Sequence, residues 1–340
     1  MKKILLALAL GSAALLSVVS SQAGVSSGLL LGISEGGSYR TLWIAPQNGT
    51  LSLRQGRDIL VPRKSGWWRV GSSTTVKSSN NESSSKQILW ANTAAGITGG
   101  LKPDFEADCQ EDQSTALLFV HEQYMAFEEA SGGYCKGAAH PWAVTVLQVR
   151  DLDKVKLSGG TYQTTNLTDI IEPLSAIGNA AQTKFVQAGE AFHKRLSADK
   201  KDIFESTPNV ANWALIRRAG QWVIRGRLGY TFEAARGACC IDFDTGLTPP
   251  VSLVGSDKLV VPFATLRTKY PNMTDTFASP KGDVQYIFEK KRLLAFAVQN
   301  GKLGGLLLTV PLNNANAVMI EWANVGSVAR WTRDTAKFLK

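Results

Sequence analysis

The sequence has 340 residues, of which 44% are hydrophobic and 19% are charged, and its formal net charge is +9. This is an ordinary globular composition, with enough material for one large domain or two smaller ones. A membrane span after the first residues is excluded, because the best candidate, LGGLLLTVPL, is interrupted by glycines at one end and by proline at the other.

The N-terminal residues are typical of a secretory signal peptide. Lys2 and Lys3 precede an apolar run over residues 4–16, and the small residues Ser21 and Ala23 follow it. The run is shorter than the roughly 20 residues that a membrane span needs, so an uncut membrane anchor is the less favoured alternative. We therefore predict that residues 1–23 are removed and that residues 24–340 are exported to the periplasm or the extracellular space.

The mature chain stays basic after Lys2 and Lys3 are lost. In the cytosol this charge would suggest nucleic acid, but outside the inner membrane the anions at hand are cell-wall polymers, lipid headgroups and acidic glycans. We expect no nucleic-acid partner, and we expect either an anionic cell-wall or glycan polymer or another envelope protein. A mildly basic surface without any partner is the alternative.

The first predicted elements are strands. Residues 41–56, TLWIAPQNGTLSLRQG, predict two strands around an Asn48-Gly49 turn, because this pair tolerates the positive φ angles of tight hairpins. The polar, serine-rich segment Ser72–Lys86 predicts a flexible loop. Cys109 and Cys135 then bracket two apolar segments, and in an oxidising compartment they are predicted to form a disulfide across the base of that hairpin.

The second half of the chain contains one predicted helix and further strands. Residues 172–201 carry alanine and phenylalanine at helical spacing, which predicts one long helix. WALIRRAGQWVIRGRL predicts two strands around Ala219-Gly220, and residues 283–312 predict three strands with reversals at 289–292 and 299–302. AVMIEWANVGSVARW closes the series. Cys239 and Cys240 are adjacent, and their pairing stays open.

The fold class that these elements indicate is mainly β, with antiparallel meanders and one inserted helix near residues 172–201. Repeated meanders suggest a β-propeller-like fold or a large sandwich, although no strict repeat of fixed period is present. A single domain over residues 24–340 is expected. The alternative is two subdomains, 24–165 and 205–340, joined by the helical segment.

Asp242 and Asp244 are the weak catalytic candidates. Asp244-Thr245-Gly246 follows an apolar run, as in the pepsin-like aspartic proteases, but the chain contains no second Asp-Thr-Gly or Asp-Ser-Gly. The simpler interpretation is a strand that places both aspartates on one face, followed by a turn. The alternative function is a hydrolase of cell-envelope material, with another carboxylate brought close by the fold. No metal site and no cofactor are predicted.

The main binding hypothesis concerns a surface on which arginine and tryptophan are mixed. Guanidinium groups pair with anions, and indole rings stack on sugars or cations. An interior position for the tryptophans, with arginines covering the sheet edges, is the alternative. We therefore predict an exported binding or structural module of unknown ligand. The candidate binding residues are Arg63, Trp67, Trp68, Arg69, Trp222 and Arg225.

Overall fold

The computed structural model describes residues 24–79, 82–96, 105–106, 108–138, 141–155, 165–174, 180–230 and 240–340. The predicted signal peptide, residues 1–23, and Cys239 lie outside these residues. Strands make up 53% of the described residues and helices 18%, so the protein is mainly β, as predicted. The described helices include none long and apolar enough to cross a membrane.

Seventeen strands and six helices are described. The strands are β1 (Gly28–Glu35), β2 (Ser38–Gln47), β3 (Thr50–Arg57), β4 (Ile59–Arg63), β5 (Gly66–Ser79), β6 (Glu82–Thr93), β7 (Cys109–Val120), β8 (Tyr124–Cys135), β9 (Trp142–Asp151), β10 (Trp213–Arg218), β11 (Gln221–Leu228), β12 (Ile241–Asp244), β13 (Met273–Ala278), β14 (Val284–Glu289), β15 (Arg292–Gln299), β16 (Lys302–Pro311) and β17 (Ala315–Ala323). The helices are α1 (Leu167–Leu174), α2 (Ala180–Lys194), α3 (Ala198–Ile203), α4 (Val251–Val254), α5 (Phe263–Lys269) and α6 (Val325–Thr335).

Four sheets form a propeller-like ring. The first sheet has the order β17-β1-β2-β3, the second β4 to β9, the third β10 to β12 and the fourth β13 to β16. Neighbouring strands are antiparallel except β6 and β7, which pair in parallel at Ser85 and Asp112. The first sheet joins the two ends of the described chain, because β1 pairs with β17 from Gly28 opposite Ala323 to Glu35 opposite Ala315.

Apolar side chains fill the spaces between the sheets. Trp43 and Val70 belong to a core that the first and second sheets share with α6, whereas Tyr286 and Leu31 belong to a core between the fourth and first sheets. Phe185 of α2 packs into a third core that joins the second and third sheets. Because each sheet buries side chains against a neighbour, no sheet is stable as an independent layer.

The predicted hairpin turns are confirmed. Asn48 and Gly49 have φ angles of 50° and 80°, and Ala219 and Gly220 have φ angles of 52° and 87°. Two residues with positive φ give a turn whose twist matches that of the flanking strands. The predicted reversals at 289–292 and 299–302 also lie where β14, β15 and β16 meet.

The predicted disulfide between Cys109 and Cys135 is confirmed. The two residues are directly opposite each other on β7 and β8, with a Cα–Cα distance of 4.0 Å. Cys240 is disulfide-bonded as well. The Cys109–Cys135 disulfide therefore joins the start of β7 to the end of β8, at the base of the hairpin, as the spacing of the two cysteines indicated.

The predicted flexible loop over Ser72–Lys86 is wrong. β5 and β6 pair continuously from Trp68 opposite Thr93 to Ser79 opposite Glu82. The apolar ends of both strands are buried and set the register, and the ladder of backbone hydrogen bonds then continues through the serine-rich ends. A low content of apolar side chains therefore did not prevent strand formation.

The single helix predicted over residues 172–201 is divided. α2 ends at Lys194, where the Arg195 and Leu196 N–H groups donate to the carbonyls of Phe192 and His193, three residues back. Ser197 then adopts extended backbone angles before α3. Such tightened bonds are typical of helix ends.

Candidate functional site

The two halves of the predicted surface belong to different sheets. Trp222, on β11, is 3% exposed, and its ring lies 4.8 Å from that of Phe119 and 5.1 Å from the Arg217 guanidinium. Arg225 of the same strand lies 3.6 Å from an oxygen of Asp242. These two candidates therefore contribute to interior packing and to an ion pair of the third sheet, and their contacts do not include α6.

On the second sheet, Arg63 contacts both the Trp68 ring and the Asp153 carboxylate. Trp68 is 8% exposed, and the Arg63 guanidinium lies 4.2 Å above its ring. Arg63 also donates to both oxygens of the Asp153 carboxylate at 3.0 and 2.8 Å. A bidentate pair of this kind neutralises the arginine. Trp67 and Arg69 are only partly buried.

Asp242 and Asp244 lie on one face of β12, as the strand interpretation predicted, opposite Arg227 and Arg225. Arg227 donates to Asp242 at 2.7 Å and to Glu128 at 2.6 Å, so it bridges these two carboxylates. Asp244 is paired with Arg218. These carboxylates are therefore paired with arginines, and the Arg227–Glu128 pair joins the third sheet to the second.

The Asp-Thr-Gly sequence forms a turn. Gly246 has a φ of 67°, which glycine adopts readily. The Thr245 hydroxyl donates to the Ile224 carbonyl at 2.8 Å and accepts from the Leu247 N–H at 3.2 Å. The threonine therefore holds the turn against β11.

A helix that the sequence analysis did not predict, α6, completes a basic surface beside Trp67. The Asn324 side chain caps the helix by accepting from the Ser327 N–H at 3.1 Å. The Trp331 ring lies 5.8 Å from that of Trp43 and 5.5 Å from that of Trp67. The signal for this helix was Asn324 followed by apolar residues at positions 328 and 331.

The opposite side of α6 is basic. Arg330 and Arg333 lie three residues apart on one face of the helix, and both are exposed. Lys337, also exposed, follows in the turn after the helix ends at Thr335. The buried side, with Trp331 and Thr335, therefore orients the two arginines outward.

Strands of the first and second sheets add further arginines to this surface. Arg54 donates to the Thr332 carbonyl at 2.7 Å, and the Arg69 guanidinium lies 5.6 Å from the Phe338 ring. The backbones of Gln55 and Lys340 are joined by two hydrogen bonds of 2.8 and 2.9 Å. These contacts hold β3 and β5 beside α6. We call the resulting surface the basic face, and its members are Arg54, Arg69, Arg330, Arg333 and Lys337.

The basic face is not neutralised by neighbouring acids. No member comes within 4.0 Å of a carboxylate oxygen in the part of the chain that the structure describes. The same segments, residues 54–69 and 325–337, carry two acidic side chains, Asp58 and Asp334. Partly buried Trp67 lies two residues before Arg69 on β5, on the same side of the strand. A cationic surface with adjoining indole edges is the arrangement that suits an acidic, ring-containing ligand.

A second group of titratable side chains lies where β17 packs against β7 and β10. Burial raises the pKa of Glu321 to about 7, and the nearby Glu122 carboxylate adds to the shift. Burial lowers the pKa of His121, whose Nδ1 atom has no hydrogen-bond partner. One group of ligand-type side chains in the described residues converges closely, Glu106 with Cys109 and Cys135, but its sulfurs are joined in the disulfide.

Fold and surface together define a mainly β, propeller-like protein with a basic face. No protein-family model and no curated protein matches the sequence. Among solved structures, the chain is similar to the crystal structure of a member of the DUF3298 family from Bacteroides fragilis. The match has a TM-score of 0.31 and 11% identity, and it covers 56% of this chain and 94% of that chain. A likeness of this extent supports no functional conclusion.

Proposed function

We propose that this protein is an exported binding module that holds an anionic cell-wall or glycan polymer on the basic face. The observation that carries the proposal is the group of unpaired cationic side chains that α6, β3 and β5 bring together. Guanidinium groups form charge-assisted hydrogen bonds with carboxylate, sulfate and phosphate oxygens. The neighbouring Trp67 and Trp331 rings offer apolar contact to a sugar.

A polymer fits this surface better than a single small anion. Arg330 and Arg333 lie on α6, Lys337 follows the helix, and Arg54 and Arg69 lie on β3 and β5, so the positive charges are spread over several elements. Exposed ion pairs contribute only about 0–1 kcal/mol each. Useful affinity therefore requires several contacts at once, and a chain with repeated charges supplies them.

Two features support an exported location. The Cys109–Cys135 disulfide is stable in oxidising compartments. Residues 1–23 have the composition of a signal peptide. Anionic polymers of the cell envelope are available in that location.

The proposal is tested by pull-down of residues 24–340 on insoluble cell wall and on an anionic polysaccharide, at low and high salt. The variant Arg333→Gln with Lys337→Gln removes two charges from the basic face. We expect about tenfold weaker binding at low salt and a smaller salt dependence. The matched control is Lys200→Gln with Lys201→Gln, which removes two exposed charges from α3 and should change binding less than twofold.

Equal weakening by the two variants would show that net charge alone is responsible, and would reject a localised site. Absence of salt-sensitive retention on both polymers would reject the polymer and leave an envelope protein as the partner. Soluble fragments in the supernatant would favour the hydrolase alternative, and Asp244→Asn would then be the next variant.

A further inference from the structure

Asp58 places a carboxylate within the basic face, at the crossing from β3 of the first sheet to β4 of the second. Its φ of 63° is unusual for a residue other than glycine, although aspartate and asparagine tolerate it. The Asp58 N–H donates to the Tyr39 carbonyl at 2.9 Å, and the Asp58 carbonyl accepts from the Thr41 hydroxyl at 2.6 Å. The backbone is thus held on both sides, and the position of the side chain follows.

The Asp58 carboxyl group lies over Gly71 of β5. A Cβ atom at Gly71 would come within 2.8 Å of an Asp58 oxygen and within 2.6 Å of the Trp90 ring. Glycine therefore leaves the space that the carboxyl group occupies. The cations that act on this carboxyl are Arg69 and Arg57, and neither comes within 4.0 Å of its oxygens.

We propose that Asp58 is a built-in counter-anion, which competes with the acidic groups of the ligand for Arg69. This inference rests on the proposed polymer-binding function. A carboxylate that is close to a guanidinium group but does not pair with it lowers the local positive potential. An incoming anion reaches Arg69 most favourably when Asp58 is neutral, because repulsion between like charges is then absent.

The ionisation of Asp58 supports this role. Burial raises the pKa of Asp58, and the charges of Arg69 and Arg57 oppose that shift without cancelling it. The group therefore gains a proton at a higher pH than an ordinary aspartate does. Acidification would strengthen binding of a polymer whose own charge does not titrate.

The test measures the affinity of residues 24–340 for dextran sulfate at low salt, at pH 7 and at pH 4.5. This probe keeps its charge at both values. Asp58→Asn keeps the shape and tolerates positive φ, and we expect about fivefold tighter binding at pH 7 with little further gain at pH 4.5. Asp58→Gly also suits the backbone and should give the same gain. Glu205→Gln, which removes an exposed acid outside the basic face, should change affinity less than twofold.

The outcomes separate this inference from the proposed function. If Asp58→Asn and Asp58→Gly both bind like the unchanged protein while Arg69→Gln binds more weakly, the counter-anion role is overturned and the basic face remains. If the unchanged protein does not bind dextran sulfate at low salt, the basic face itself is overturned. A gain from Glu205→Gln as large as that from Asp58→Asn would show that position does not matter, and would also overturn the role.

Discussion

At the scale of single residues, the arginines of this protein divide into those that satisfy buried acids and those that remain on the surface. Arg217 is buried and donates to Asp257 at 2.6 Å and to Asp275 at 2.8 Å. Arg330 and Arg333 are exposed on α6 without such a partner. The residue type is the same, but an arginine is available to a ligand only where the fold brings no carboxylate to it.

Asp283 shows how hydrogen bonds to one carboxylate anchor a chain segment. It accepts from the Ser26 N–H and hydroxyl, both at 2.8 Å, from the Ser27 N–H at 3.2 Å and from the Ser279 hydroxyl at 2.6 Å. Burial alone would raise the pKa of Asp283, but these hydrogen bonds outweigh it and lower the pKa below its ordinary value. The ionised form is therefore the one that the folded state stabilises.

Replacement of Asp283 by asparagine should destabilise the protein near neutral pH. A folded pKa below the unfolded value of about 3.9 gives stability that is present above this value and is lost as the pH falls through the folded pKa. We expect Asp283→Asn to cost about 2 kcal/mol at pH 7, and less in acid, as measured by urea unfolding. The control, Asp244→Asn, removes the exposed pair with Arg218 and should cost under about 1 kcal/mol. An equal loss at pH 7 and in strong acid would contradict this account.

At the scale of elements, local signals predicted most turns but not every element. Asn48-Gly49 fixes its hairpin because the two residues themselves adopt positive φ. β5 and β6 escaped prediction, because their serine-rich halves form strands only by extending a register that begins in a buried apolar region. α6 also escaped, since its sequence follows β17 directly and was interpreted as one continuous series of strands.

The cap of α6 should contribute measurably to stability. The Asn324 side chain accepts a hydrogen bond from the Ser327 N–H at 3.1 Å, and the same N–H also donates to the Asn324 carbonyl at 2.8 Å. We expect Asn324→Ala to lower the free energy of unfolding by about 1 kcal/mol, and Asn324→Ser, which keeps a capping oxygen, to change it by only a few tenths. Thermal unfolding of both variants provides the measurement, and identical losses would show that the cap is not the cause.

At the scale of the whole molecule, closure of the ring determines where charged groups end up. β17 pairs with β1 and also packs against β7 and β10, so it carries Glu321 into the region where three sheets meet. Glu122 follows β7 and faces the same region, which is why its charge acts on Glu321. Two carboxyl groups distant in the sequence become coupled through the arrangement of the sheets.

The raised pKa of Glu321 predicts that the free energy of unfolding falls as the pH rises toward 7. Because the folded pKa of Glu321 is raised to about 7, the stabilisation of its protonated form is complete below the unfolded pKa and is lost as the pH rises toward 7. The free energy of unfolding of Glu321→Gln, which cannot ionise, should therefore be about 2 kcal/mol higher than that of the unchanged protein at pH 8. At pH 4 the two values should be about equal. Urea unfolding at the two pH values tests this. Glu205→Gln is the exposed control, and a gain at pH 4 as large as at pH 8 would reject ionisation as the cause.

The sequence by itself determined the mainly β fold class, the tight turns and the Cys109–Cys135 bridge, since these depend on hydrophobic alternation, turn residues and two cysteines at the base of one hairpin. The tertiary structure alone decided the four-sheet ring, the packing of α6 against Trp43 and Trp67, and which arginines face solvent. The physical reason is that these features require residues far apart in the chain to meet, as Gly28 and Ala323 do. The local sequence around either residue does not identify the residue with which it pairs.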